Sequence, residues 1–304
     1  MIAPLGWPRP RVTGTGRGAA GVEGEAADGN HAAFSHPGLV EFFTSGRCRP
    51  QDLYPSERRF LPWLAGRART VLDVGCAAGG FAGIWESLAP GVSYTGTDVS
   101  PELIEVARET HPDRRFEVAD AVGGLPFDDR SFDVVQALGW MHWEPRYREA
   151  MAELWRLTAG SIFFDVRLRP PGAGSVLGRQ RLAYGSDEWD GSTDTPYLVV
   201  DLVELVDDLL VLCPARILAY GYLGQPDDLV VGIDGEVCFT TVVLERGDED
   251  GDGSVVIAAE LPWPVPERDG VVHVTSLSDL VLDEETSAEG VSGGVRAVSK
   301  KGAI

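Results

Sequence analysis

Residues 71–80 read Val-Leu-Asp-Val-Gly-Cys-Ala-Ala-Gly-Gly, an apolar run that meets an acid, Asp73, and then the glycines Gly75, Gly79 and Gly80. Such a turn lets the backbone approach a ligand closely, and a helix predicted over 81–88 points its free N–H groups at the same place. Two further acids stand where strands are predicted to end: Asp98 after residues 93–97, and Asp120, followed by Ala121, after 115–119. A carboxylate at the end of a second parallel strand is placed to take both hydroxyls of a ribose. Together these residues predict a nucleotide-like ligand along the carboxyl edge of a parallel sheet.

The glycine loop fits two cofactors. With Ala77 in the second place of G-x-G-x-x-G, it matches a nicotinamide dinucleotide fingerprint; as G-x-A-x-G over 75–79, it matches an S-adenosylmethionine (SAM) loop. Asp98 serves either one. The Asp120-Ala121 pair, and the run Leu125-Pro-Phe-Asp-Asp-Arg-Ser-Phe-Asp-Val-Val135 leading into a fourth strand, tip the balance. Over roughly residues 53–245 the chain resembles the class I SAM-dependent methyltransferases, in particular the methyltransferase-domain group that acts mostly on small molecules. The resemblance implies that Asp73, Gly75, Ala77 and Gly79 hold the methionine part of SAM and that Asp98 holds the ribose. It further implies that Asp120 and Ala121 read the adenine edge, with Val99 and Leu138 completing the cofactor contacts. Ala77 departs from the commonest pattern, which has glycine there.

SAM carries its own leaving group, so such a protein must align the acceptor and, for a hydroxyl, take up a proton. His142, in the run Gly-Trp-Met-His-Trp over 139–143, is one candidate base and Asp165 the other; His142 reads equally as a histidine that orients its loop. Trp140 and Trp143 read as pocket walls or as core. Arg167, with Arg169, Arg179 and Arg181, matches recognition of an anionic acceptor group or a solvated basic loop. Tyr54 and Glu57 stand in a segment, 53–60, that resembles a lid helix in several small-molecule methyltransferases.

These residues require an α/β frame: a Rossmann-like, seven-stranded, mostly parallel sheet with helices on both faces and an antiparallel last strand. Residues 1–32 are rich in Gly, Ala, Pro and Arg and predict a disordered leader. The methyltransferase domain is expected over 33–246, with lid helices in 33–69, the second capped by Ser56, and a substrate-side insertion at 167–197. Residues 247–304 form an acidic, glycine-rich tail with short strands near 254–259 and 271–275. The sheet is expected to be complete by Glu245.

Net charge is −21, from 26 basic and 47 acidic residues among 304, and the only lysines are Lys300 and Lys301. That balance disfavours a nucleic-acid partner, whose affinity rests on cations at phosphates. Cys48, Cys76, Cys213 and Cys238 are scattered, so neither a metal site nor a disulfide framework is indicated, and a cytoplasmic setting fits them. No apolar run is long enough for a membrane span. The expected partner is a small-molecule acceptor; the rivals are an NAD(P)-dependent oxidoreductase and a catalytically silent SAM-binding scaffold.

Overall fold

The computed structural model describes residues 39–44, 47–182, 193–247, 254–274 and 276–277. The predicted leader, 1–32, lies outside them. After α1 (Leu39–Thr44) and α2 (Pro55–Ala65), strands and helices alternate: β1 (Thr70–Val74), α3 (Gly80–Leu88), β2 (Ser93–Asp98), α4 (Pro101–Thr110), β3 (Arg115–Val118), β4 (Phe132–Ala137), α5 (Tyr147–Leu157) and β5 (Thr158–Arg169). The chain continues through β6 (Val176–Arg181), β7 (Asp194–Asp201), α6 (Leu202–Val211), β8 (Arg216–Gly224), β9 (Val230–Val231), β10 (Val237–Glu245), β11 (Val255–Glu260) and β12 (Val271–Val274).

The strands lie in the order β12-β11-β8-β10-β5-β4-β1-β2-β3. Every pair on this path is parallel except those of β10, which runs antiparallel to both β5 and β8. This is the predicted Rossmann-like α/β sheet with its inserted antiparallel strand, but among the described residues its path holds nine strands where the sequence predicts seven. Side chains alternate between two cores because successive strand residues face opposite ways. Leu72, Val135, Phe164, Val242 and Ile257 pack on one face, with α5 and α6; Val71, Val134, Phe163, Val243 and Ala258 pack on the other, with α2 and α3.

Three expectations need correction. The sheet does not close at Glu245: β11 adds to β8 in parallel register, with Ile257 opposite Ile217, and β12 adds to β11. A boundary at 246 therefore cuts through the sheet, because 254–274 carries its own alternating apolar residues, and Ile257, Ala258 and Leu277 are buried. Second, the insertion predicted at 167–197 is largely regular strand in its described part. β5 continues through Arg169, and β6 pairs antiparallel with β7 and β9 as a small flanking sheet. Third, Ser56 does not cap α2. Tyr54 occupies the cap position, Pro55 takes the first helical place where no N–H is needed, and the Glu57 carboxylate accepts the Tyr54 N–H at 2.8 Å.

Because β11 covers β8, removing it should expose apolar edge. Ile257→Ala is expected to cost about 2–5 kcal/mol of stability, the usual penalty for emptying a buried aliphatic site. A chain ending at Arg246 is expected to melt well below the full chain. Urea and thermal denaturation measure both; equal transitions for the truncated and full chains would show that β11 and β12 add nothing to the domain.

Candidate functional site

The carboxyl ends of β1 to β5 open onto one cavity of about 560 Å³. At one end the loop after β1 takes three left-handed residues, Gly75 (φ 76°), Ala77 (φ 47°) and Gly79 (φ 81°). Glycine is needed at 75 for a second reason: a Cβ there would lie 2.3 Å from the Trp140 ring, whose indole N–H donates to the Val74 carbonyl at 2.6 Å. Ala77 holds a conformation that costs an ordinary L-residue roughly 1–2 kcal/mol. Its N–H donates to Asp98 Oδ2 at 2.9 Å, a bond that holds the strained turn in place.

Asp98 is nine-tenths buried, and its other oxygen accepts the Ser100 N–H at 3.0 Å. Burial raises its pKa against the pull of the Ser100, Ala77 and Val99 N–H groups. Asp98 lines the cavity with acceptor capacity left beyond these N–H bonds, which fits a ribose hydroxyl. Asp73, also buried, accepts the Tyr94 hydroxyl at 2.5 Å, and burial pushes its pKa up to about 7. Asp120 caps its own turn by accepting the Val122 N–H at 2.9 Å, and Ala121 lies beside it in the cavity wall. Val99 and Leu138 also line the cavity. Gly79 does not. Its missing side chain makes room for Phe116 and His111, within 3.2 Å of where a Cβ would stand, so it shapes the loop from behind. The residues present therefore fit SAM.

The other end of the cavity is built by the loop after β4, the end of β5 and the small flanking sheet. Asp165 uses both oxygens: Oδ1 accepts the Gly139 N–H and Oδ2 the Arg167 guanidinium at 2.6 Å. Burial acts to raise its pKa, but Arg167, His142 and that N–H hold it below the ordinary carboxylate value. Arg167 also stacks on Phe239, 4.7 Å from the ring centre. His142 is buried among aromatic rings, 4.8 Å from Trp143 and 5.2 Å from Tyr197, and its Nδ1 has no hydrogen-bond partner. Burial, then the Arg167 charge, lowers its pKa well below the usual histidine value. Trp143 donates its indole N–H to Gln180 at 2.7 Å, tying the β4 loop to β6.

Trp140, Trp143, His142, Asp165, Arg167 and Tyr54 all reach the cavity. Glu57 does not reach it; it lines a smaller cavity of about 150 Å³ behind Asp165 and Arg167, paired with Arg47. The other arginines of the basic loop are occupied on the protein: Arg169 donates to the Gly174 carbonyl at 2.8 Å, Arg179 pairs with Asp194, and Arg181 is engaged as well. Sequence reasoning missed Arg47, Gln180, Tyr197, Asp227 and Phe239. Arg47 lies between the rings of Tyr54 and Phe81, at 4.7 and 4.9 Å from their centres. Only Phe239 left a trace in the sequence, as an aromatic residue within the alternating pattern of β10.

Residues 72–163 match the family model described as "Methyltransferase domain". Over 116 residues the chain is 37% identical to a demethylmenaquinone methyltransferase of Deinococcus radiodurans, covering 36% of this chain and 48% of that one. It is 38% identical over 105 residues to a phthiotriol/phenolphthiotriol dimycocerosates methyltransferase of Mycobacterium tuberculosis, covering 34% and 38%. The chain thus spans about half the length, or less, of these curated relatives. Among solved structures, the N-terminal domain of EvdMO1 with SAH bound aligns at a TM-score of 0.45 and 19% identity, over 64% of this chain and 82% of that one. Over residues 72–163 the chain is thus similar to the methyltransferase-domain family, and SAM is the cofactor of the class I SAM-dependent methyltransferases. The family match and the inserted antiparallel strand displace the nicotinamide alternative.

The raised pKa of Asp73 has a consequence for stability. Folded, the carboxyl keeps its proton up to about pH 7; unfolded, it releases it near 4, so the unfolded state binds fewer protons between those values and stability falls as pH rises through that window. Glu57 and Asp98, raised by burial in the same direction, add to the slope. Asp73→Asn is expected to reduce the loss of ligand-free stability between pH 5 and 7.5, read as urea midpoints. Equal slopes for mutant and wild type would contradict the assignment.

Proposed function

We propose that this protein is a SAM-dependent methyltransferase that methylates a hydroxyl oxygen of a small acceptor, such as a sugar, a nucleotide-linked sugar or another secondary metabolite. The observation that carries this is the single cavity joining Asp98 and Asp120 at one end to His142, Trp143 and Arg167 at the other. SAM, when bound, supplies an electrophilic methyl group on a sulfonium. Asp98 and Asp120 position the nucleoside, while the β4 loop and the flanking sheet shelter the acceptor from water. His142 takes the hydroxyl proton. Burial and the Arg167 charge keep it unprotonated at ordinary pH, though they also weaken it as a base. Asp165 is less suited to that task, since both its oxygens are engaged; it holds the β4 loop to the end of β5 instead.

The proposed partner is a small molecule rather than nucleic acid, supported by the net charge of −21. Among the described residues no helix is long and apolar enough to cross a membrane; the proposed cytoplasmic setting rests on the scattered spacing of the four cysteines in the sequence. A silent scaffold remains the rival, and transfer assays decide between them.

The test is methyl transfer from labelled SAM to glycosides, nucleotide-linked sugars and phenols. His142→Ala is expected to lower turnover by about 100- to 10,000-fold, the usual contribution of a positioned base. Because the base must be unprotonated and its pKa is lowered, wild-type turnover should stay flat through neutral pH and fall only below the usual histidine range. Near-wild-type turnover in the mutant removes His142 as the base; absence of transfer to every acceptor favours the scaffold.

A further inference from the structure

We infer that the acceptor end of the cavity selects an uncharged, ring-bearing molecule and rejects one that carries a carboxylate or phosphate. This rests on the proposed transfer to a small acceptor and narrows it, excluding nucleotide-linked sugars.

Among the described residues, the two arginines that line the cavity are both matched by protein carboxylates. Arg167 is paired with Asp165 at 2.6 Å, and Asp165 cannot swing away because the Gly139 N–H holds its other oxygen. Arg47 is paired with Glu57, which is 2% exposed. An anionic acceptor reaching for either guanidinium would have to share it with a buried carboxylate, placing two like charges together where water screens them poorly. The guanidinium faces are also occupied, Arg167 by Phe239 and Arg47 by Tyr54 and Phe81.

Two further carboxylates stand at this end, one of them, Glu144, paired with the Arg146 guanidinium at 3.4 Å. Asp227 and Glu144 both line the cavity. Asp227 accepts the Leu229 N–H at 2.8 Å, and Glu144 accepts the Arg146 N–H at 2.8 Å, so each carboxylate is fixed in place. Trp143 and Tyr197, with the edge of a Phe239 ring whose faces are covered by Arg167 and Tyr222, line the same end and can contact a ring without needing charge. His142, held neutral, adds no cation. The acceptor end thus offers an anion no cation that lacks a protein carboxylate, while Asp227 adds a negative charge, which suits a cationic cofactor beside an uncharged acceptor.

The decisive experiment compares two probes of equal shape, 4-methylumbelliferyl β-D-glucoside and the corresponding glucuronide, which differ only by a carboxylate on the sugar. Binding to the full chain in the presence of S-adenosylhomocysteine is read by fluorescence polarisation, with no methyl transfer required. The glucoside is expected to bind about ten-fold or more tightly than the glucuronide. The paired substitution Asp227→Asn with Glu144→Gln is expected to narrow that ratio, with melting curves confirming that the variant is folded. Equal or tighter binding of the glucuronide, binding of neither probe, or an unchanged ratio in the folded variant would overturn the inference. Failure of transfer with a preserved binding preference would instead count against the proposed function alone.

Discussion

The loop after β1 keeps its shape because one buried carboxylate reaches it from the neighbouring strand. Asp98 receives the N–H of Ala77 on one oxygen and that of Ser100 on the other, so a single side chain fixes both the strained turn and the start of α4. Ser100 continues the arrangement by capping α4 with its hydroxyl at the Leu103 N–H. Such a clamp works only if β1 and β2 are adjacent and parallel, with their carboxyl ends level, and the register that sets Val74 opposite Thr97 provides this. The cofactor end of the cavity is therefore a property of the sheet. Its geometry is inherited from two central strands whose side chains are almost wholly buried.

A second buried carboxylate organises the acceptor end. Asp165 ties the loop after β4, through Gly139, to Arg167 on its own strand, and Arg167 in turn lies on Phe239 of the antiparallel strand β10. Three strands meet at that ion pair. A buried pair of this kind contributes little net stability, but removing either partner leaves an uncompensated charge. Its effect is to hold His142 and Trp143 at a fixed place relative to the flanking sheet. The matched family segment, 72–163, ends just before this pair: of the residues proposed to meet the acceptor, His142 and Trp143 lie inside it, and Arg167, Tyr197 and Phe239 outside.

The sequence made the cofactor half legible for a physical reason: local backbone requirements write themselves into residue type. A left-handed turn calls for Gly75, a ribose calls for an acid at the strand end, and a buried central strand calls for Val and Leu. The acceptor half depends instead on contacts between distant segments. Arg47 meets Glu57 and Phe81 only after α2 has packed on the sheet, and Tyr197 reaches His142 only because β7 runs beside the end of β5. The strands near 254–259 and 271–275 were visible as apolar alternation, but the acidic, glycine-rich stretch before them read as a boundary. The physical outcome is different: Ile217 on β8 would otherwise be left at an open sheet edge, and Ile257 covers it.

The central claim is that Asp98 and the turn it clamps form a SAM site. Titration calorimetry with S-adenosylhomocysteine, on wild type and Asp98→Ala, addresses it without any knowledge of the acceptor. Charge-assisted hydrogen bonds contribute roughly 1.5–3 kcal/mol each, so the account predicts saturable binding to wild type and affinity at least about ten-fold weaker in the variant. Saturable binding of NADH with no heat from S-adenosylhomocysteine would contradict it.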